Sequence, residues 1–369
     1  MRENALIQFS SGRYYQGRGV LQKIGEESAL LGHKALIVVD DTVWKKTEER
    51  VRESLRSASV EFVRYAFSGG CTEKNYTESS QIGQAEGCTL VIGMGGGRAI
   101  DTAKIAADLM GVRCITVPTS LATCASTAWL SVHYREDGSM IGNYWTRYSA
   151  FCTLVDLDVA ALDCPQRYTA AGILDAMSKY PEITYNLIIG GRFQKNAFSE
   201  TAALVARHIF DELLEHGESC LNKLAQGLVD EEVENCAAMA VDIAGITSVM
   251  ACGGKQAAVC HLLYAWICGK YPDVAKRFVH GEIVAASMIY QLMLSNVPKE
   301  TVGRFRQFIR ALHAPSCLQD LGILCDEREA ADMLEEPPSQ IRQIYDAIGQ
   351  CAPDYNVEKI YKRLSDQTV

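Results

Sequence analysis

The stretch that most limits what this chain can become runs from Thr89 to Met110 and reads Thr-Leu-Val-Ile-Gly-Met-Gly-Gly-Gly-Arg-Ala-Ile-Asp-Thr-Ala-Lys before continuing in an apolar-rich pattern. An apolar run of strand composition, Thr89 to Met94, meets three consecutive glycines, after which Ile100, Ala103 and Ala107 keep a helical period. The pattern predicts a strand, a tight turn and a helix N-terminus. Gly95, Gly96 and Gly97 carry no Cβ, so backbone N–H groups there can approach an anion, and the helix dipole favours negative charge. A pyrophosphate is the natural guest. The spacing matches neither G-x-G-x-x-G nor G-x-x-x-x-G-K-[ST], and a glycine triplet alone fits a purely structural turn equally well.

Around this stretch, strands alternate with helices. Ala35-Leu-Ile-Val-Val is a continuous apolar run that suits a strand covered on both faces, with Val43 to Ala58 as a crossover helix. Val60 to Tyr65 predicts another strand, Tyr76 to Glu86 a helix, and Cys114-Ile-Thr-Val-Pro a further strand after the helix at 98–110. Near the start, Leu6-Ile-Gln-Phe and Arg13 to Leu21 suggest a strand pair or hairpin; a second hairpin follows Val132, and Phe151 to Leu157 is the last strand before Pro165. From Tyr168 onward helical periodicity takes over, as in Thr201 to Leu214, Val233 to Met250, Gln256 to Gly269 and Glu282 to Ser295, with Glu335-Glu-Pro-Pro-Ser as a polar break between terminal helices. The expectation is an α/β N-terminal domain with a parallel, dinucleotide-binding sheet over residues 1–165, then an all-α domain over 166–369.

Ligands of such sheets lie beyond the carboxyl ends of the strands, where both Asp40 and the glycines stand. An acid there can accept hydrogen bonds from a ribose and would repel the 2′-phosphate of NADP, which favours NAD; a helix cap or turn residue is the lesser alternative for Asp40. The net charge of −9, with Lys and Arg scattered, argues against nucleic acid or an anionic membrane as partner. No apolar run reaches about 18 residues and the N-terminus lacks an apolar signal region, so a cytoplasmic protein is expected, with no transmembrane helix. The 14 cysteines form no Cys-x-x-Cys pair and read as small buried hydrophobes of a reduced protein.

Three side chains in the helical half invite a metal reading: Asp175 in Gly172-Ile-Leu-Asp-Ala, His261 in Ala257-Ala-Val-Cys-His, and His280 in His-Gly-Glu. No short motif links them, and a lone histidine on an apolar helix is more often a satisfied core residue. Their order behind an NAD-like α/β half resembles the iron-containing alcohol dehydrogenase superfamily, in its glycerol dehydrogenase and hydroxycarboxylate dehydrogenase branch. The resemblance covers most of the chain. It rests on Arg13 to Leu21, Val39-Asp-Asp-Thr-Val-Trp-Lys, Phe67-Ser-Gly-Gly-Cys, Gly95-Gly-Gly-Arg-Ala-Ile-Asp-Thr-Ala-Lys, Val117-Pro-Thr, Ala128-Trp-Leu-Ser-Val-His-Tyr and the three segments just named.

The resemblance implies the dehydroquinate synthase-like fold. It implies NAD held by Gly95, Gly96, Gly97 and Arg98 and lined by Asp40, Asp101, Thr119, Ala128, Leu130 and Tyr134. One divalent metal, zinc or iron, would be held by Asp175, His261 and His280. Three departures stand out. Arg98 replaces a customary lysine; Cys124 stands where glycerol dehydrogenases carry an aspartate that binds hydroxyl groups, as in the hydroxycarboxylate group; and Pro181 should kink or end its helix early. The implied reaction is reversible hydride transfer between NAD(H) and a small alcohol or carbonyl compound, preferably a 2-hydroxy acid and 2-oxo acid pair, with Cys124 lining the pocket and Lys255 or Arg277 as candidates for the substrate's charge. Alternatives are a glycerol dehydrogenase, a dehydroquinate-synthase-like lyase and a non-catalytic NAD-binding protein. A homo-oligomer is expected.

Overall fold

The structure, a computed structural model, describes residues 10–138, 140–184, 195–252, 258–294 and 297–323. Strands β1 (Arg13–Gly17), β2 (Lys34–Val39), β3 (Glu61–Ala66), β4 (Leu90–Gly95), β5 (Arg113–Pro118) and β8 (Cys152–Asp156) form one sheet in the order β1-β8-β5-β4-β2-β3. Every pairing in it is parallel. Its continuous apolar runs are split by the period of two onto two covered faces. Ala35, Ile37, Val39, Leu90, Ile92 and Met94 pack into one core cluster. Leu36, Val38 and Val91 turn the other way, onto Ala99, Ala103 and Ala107.

The crossovers are α1 (Ile24–Ala29), α2 (Asp41–Ser57), α3 (Glu73–Ala85) and α4 (Gly97–Met110). After β2 the chain steps outward to β3, and from β4 it steps the other way to β5. β2 and β4 are therefore neighbours across a topological switch point, the place where an open parallel sheet leaves a crevice beyond its strand ends. Strands β6 (Leu130–Tyr134) and β7 (Met140–Trp145) form a separate antiparallel hairpin.

Beyond Pro165 the described chain is helical: α5 (Gln166–Thr184), α6 (Ala197–Ala225), α7 (Glu231–Ala238), α8 (Ala244–Cys252), α9 (Val259–Lys270), α10 (Pro272–Arg277), α11 (His280–Leu294) and α12 (Lys299–Ala311). Residues of α5, α6, α7, α11 and α12 share the largest core cluster, so these helices bury their apolar stripes on one another. Two glycines let backbones of this bundle approach closely. A Cβ at Gly172 would lie 1.8 Å from the Leu121 carbonyl oxygen, and one at Gly281 would lie 1.9 Å from that of Ala171.

Several expectations need correction or completion. β1 pairs in parallel with β8 rather than closing a local hairpin, and the proposed partner Leu6 to Phe9 lies outside the described residues. Helix α5 does not stop at Pro181 but continues to Thr184, with Glu182 and Ile183 fully buried. The helix expected over 233–250 is broken by a π-type turn at Met239–Ile243, where the Thr127 hydroxyl donates to the Val241 carbonyl at 2.8 Å. By length and mean hydropathy the run Glu231–Ala251 could cross a membrane, yet 61% of its apolar window is buried within the protein. The first residues of the helix expected from Gln256, the region around Glu335 and the terminal helices lie outside the described residues. Eleven cysteines among the described residues are free thiols, most of them buried.

Candidate active site

The crevice at the switch point is built by β4 running straight into α4. Gly95 adopts φ +143°, a region that side chains rarely enter, and Gly96 is the N-cap of α4, with no side chain capping the first turn. An uncapped helix start of this kind is the arrangement that anion-binding turns use. Asp40 caps α2 by accepting from Thr42 N–H at 2.8 Å and Val43 N–H at 2.9 Å through Oδ1. Its Oδ2 lies 3.8 Å from where a Cβ on Gly95 would be, so one carboxylate both caps a helix and borders the glycine turn.

The segment 119–134 closes over this turn. Thr119 N–H donates to the Gly95 carbonyl at 3.0 Å, and Thr123 and Ala125 lie against Gly97. Lys104, buried, donates to the carbonyls of Ala125, Ala128 and Leu130 at 2.8, 3.1 and 2.5 Å and lies 3.0 Å from Asp101. Asp101 in turn accepts from Val132 N–H at 3.1 Å. Asp101 thus ties the segment carrying Ala128 and Leu130 to α4 from behind. Arg98 is exposed, with its guanidinium 5.9 Å over the ring of Tyr134, whose phenol is pushed up to about 12, mainly by burial.

Asp175, His261 and His280 converge from α5, α9 and α11, with one ligand atom from each lying within 4.8 Å of the others. Asp175 Oδ1 is 3.3 Å from Nε2 of His261 and 3.3 Å from Nε2 of His280. A tetrahedral N/O site with bonds of about 2.0–2.2 Å has edges of roughly 3.3–3.6 Å, which both Asp175–histidine edges match, so the three groups could hold one divalent cation. The Asp175 and Lys179 side chains are 3% and 2% exposed, whereas His261 and His280 are 19% and 32% exposed, so the cluster opens on its histidine side.

Two further residues of α5 complete the cluster. Glu182 Oε2 lies 2.7 Å from His261 Nδ1, while its Oε1 accepts from the N–H groups of Ala258 at 2.8 Å and His261 at 3.0 Å. A carboxylate behind a histidine fixes the tautomer that leaves Nε2 free for a metal. Lys179 donates to the Asp175 carbonyl at 3.2 Å and lies 3.4 Å from Oδ1. Neither residue is singled out by the motif segments; the helical spacings of four and seven from Asp175 were the available signal.

The charges interlock. Burial alone would push the Asp175 carboxyl up, but Lys179 and the two histidines hold it well below the usual carboxylate range. Burial pulls His261 down, but Glu182 and Asp175 together outweigh it, lifting the imidazole to about 9. Burial dominates at His280, which falls below its ordinary value. A cation bound at Nε2 must displace the His261 proton. The edge of the Tyr264 ring packs against His280, with centroids 4.2 Å apart.

Cys124 joins the two parts of the site. It opens the 3-10 turn Cys124–Ser126, and its Cβ lies 3.5 Å from where a Cβ on Gly245 would be. Burial pushes its thiol up, while Lys179 draws it down and Asp175 pushes it further up, so the group is a neutral thiol beside that pair. Arg277 donates to the Leu321 carbonyl at 3.0 Å. Lys255 lies outside the described residues.

Comparison with known proteins agrees with this architecture. Residues 11–158 match the family described as iron-containing alcohol dehydrogenase. The chain is 29% identical to glycolaldehyde reductase of Halobacterium salinarum over 89% of its own length and 88% of the relative's. It is 28% identical to a glycerol dehydrogenase of Escherichia coli, covering 92% of this chain and 88% of that one. Hydroxycarboxylate dehydrogenase A of Escherichia coli is 27% identical, over 70% of this chain and 69% of its own. The crystal structure of glycerol dehydrogenase from Schizosaccharomyces pombe superposes with a TM-score of 0.80 at 24% identity, covering 99% of this chain and 93% of that one, a likeness of fold. The chain is thus similar in its N-terminal part to the iron-containing alcohol dehydrogenase family and over most of its length to glycerol dehydrogenases.

Proposed function

We propose that this protein is a metal-dependent dehydrogenase that moves hydride between NAD(H) and a small alcohol or carbonyl compound, with a 2-hydroxy acid and 2-oxo acid pair preferred. An oxidoreductase acting on CH–OH is supported by the match of residues 11–158 and by the likeness to glycerol dehydrogenases. The observation that carries the metal-dependent reading is Asp175 Oδ1 at 3.3 Å from both histidine Nε2 atoms, with Glu182 braced behind His261.

The residues present support the following roles. Asp175, His261 and His280 would hold one divalent metal, zinc and iron suiting this donor set alike, and leave the partly exposed histidine side open to substrate. The metal, when bound, polarises the substrate's C–O bond. Glu182 keeps the His261 imidazole in one orientation through its bond to Nδ1, and the Tyr264 ring edge packs against His280. The start of α4 takes the dinucleotide's pyrophosphate, and Asp40 Oδ2, beside Gly95, takes ribose hydroxyls. Nicotinamide supplies the hydride chemistry.

The 2-oxo acid preference is supported by the neutral thiol at Cys124, which lacks the strong acceptor that a polyol needs, and by the likeness to a hydroxycarboxylate dehydrogenase. A glycerol dehydrogenase is the second reading, favoured by the greater coverage of the glycerol dehydrogenase relative. Elemental analysis of purified protein, then NADH oxidation with 2-oxo acids, aldehydes and dihydroxyacetone, separates them. Stoichiometric metal with highest kcat/KM for a 2-oxo acid is expected, and Cys124→Asp should move preference towards dihydroxyacetone. Highest kcat/KM for dihydroxyacetone in the wild type overturns the substrate preference; absence of both metal and turnover overturns the whole reading.

A further inference from the structure

Among the described residues two lysines are buried. Lys104 is accounted for by its three carbonyl partners and Asp101. Lys179 is different. It stands 2% exposed within the metal-type cluster, and its described bonds go to a single residue, the carbonyl and the Oδ1 of Asp175 at 3.2 and 3.4 Å. An ammonium has three donors, so one is not taken up by any described residue.

A charge balance gives this placement a meaning. Asp175 and Glu182 bring two negative charges to the buried floor and Lys179 one positive charge. Adding a divalent cation leaves the site with one net positive charge and no residue among those described beside it to balance it. An uncompensated charge in a poorly solvated site is costly, and a ligand of opposite charge relieves it. A neutral polyol cannot do so. A carboxylate can.

Position narrows the ligand further. The ammonium and the two histidine Nε2 atoms all lie within 3.4 Å of one Asp175 oxygen, so the two electrophilic points of the site are close neighbours. A 2-oxo acid carries its carboxylate on the carbon next to the reacting carbonyl and can present both at once. We infer that Lys179 is the specificity-determining residue of this site and binds the carboxylate of a 2-oxo or 2-hydroxy acid. The assignment rests on the dehydrogenase reading above and names the group that selects its substrate.

The test compares pyruvate with pyruvamide, which keeps the carbonyl and removes the charge, in the wild type and in Lys179→Met, a variant of similar volume. The wild type should prefer pyruvate, and in Lys179→Met the ratio of the two kcat/KM values should fall about a hundredfold, the usual scale for stripping one partner from a desolvated charge pair. Binding of oxamate, an unreactive 2-oxo acid analogue, to the NADH-saturated enzyme gives a second readout. Its Kd, followed by protein fluorescence, should rise by a similar factor. A purely structural lysine would lower activity with both substrates together, and an unchanged ratio with unchanged oxamate affinity overturns the assignment while leaving the substrate reading intact. A wild type that reduces no 2-oxo acid overturns the substrate reading itself. Should Lys179→Met fail to fold, Lys179→Gln carries the same comparison.

Discussion

Gly281→Ala should uncouple the metal from a protein that still folds. Gly281 follows His280 at the start of α11, and its Cα faces the backbone of Ala171, one turn before Asp175 on α5. An added Cβ would fall 1.9 Å from the Ala171 carbonyl oxygen and 2.6 Å from its carbon, contacts with rigid main chain. Bringing the closer contact out to 3.0 Å, the shortest that real Cβ atoms show, parts α5 from α11 by about 1.1 Å. His280 rides on one helix and Asp175 on the other, so their 3.3 Å edge opens to about 4.4 Å. Two bonds of about 2.1 Å reach at most ~4.2 Å even in a straight line, so one cation cannot hold both groups. Metal affinity should fall by at least ~100-fold and kcat/KM by a similar factor, since a 1 Å misplacement costs about that much. Overpacking should cost about 1–3 kcal/mol of stability, read as a Tm lower by several degrees with helical content preserved. The assays are elemental analysis after dialysis, chelator competition and thermal unfolding by circular dichroism. Gly303→Ala in α12 is the control, because a Cβ there meets nothing within 4 Å and should stabilise slightly. Stoichiometric metal and wild-type kcat/KM in Gly281→Ala would refute the argument from close approach.

Three other perturbations test separate parts of the structure. Gly96 has ordinary φ of −75° and open space where a Cβ would stand, so Gly96→Val should leave Tm nearly unchanged but raise the Kd for NADH at least ~10-fold; unchanged NADH affinity would remove the pyrophosphate from this turn. Glu182→Gln keeps an acceptor for the Ala258 and His261 N–H groups but loses the charge behind Nδ1, and should weaken metal binding about 10–100-fold by chelator competition, an unchanged affinity counting against its bracing role. Burial raises the Asp242 carboxyl, with the Ser10 hydroxyl only partly offsetting it, so the folded protein holds a proton that the unfolded chain releases in the ordinary carboxylate range. Stability from this group is present at low pH and lost as pH rises through the raised value. Asp242→Asn should therefore have a higher Tm than wild type at pH 8, the gap narrowing towards pH 4; a gap independent of pH would contradict it.

Legibility from sequence followed the range of each interaction. β2, β4, β5 and α4 could be read because their signals are local: period two onto two covered faces, then glycines, then period 3.6. The partner of β1 could not, since Arg13 faces Cys152 across most of the N-terminal half and parallel pairing leaves no local turn to mark it. The π-type turn at Met239–Ile243 was equally hidden, as its Val241 carbonyl is taken by Thr127 from a distant loop. At Asp40 the structure shows the capping reading, through Oδ1, while Oδ2 borders Gly95 and takes no part in the cap.

The site itself was half legible for a chemical reason. Imidazole and carboxylate stand out in an apolar helix as groups needing a justification, so Asp175, His261 and His280 attract attention singly, and the resemblance supplies their convergence. A lysine or glutamate near a helix end reads as solvated surface, and only once Asp175 is placed on the buried side of α5 do the spacings of four and seven put Lys179 and Glu182 inward with it. The same logic explains the glycines. Gly172 and Gly281 have no chemistry of their own, yet by admitting the Leu121 and Ala171 carbonyls they fix α5 against the Cys124 loop on one side and against α11 on the other. The residues that set the charge of the site and those that set its dimensions were therefore the ones a sequence hides best, because each acts through what another chain segment brings to it.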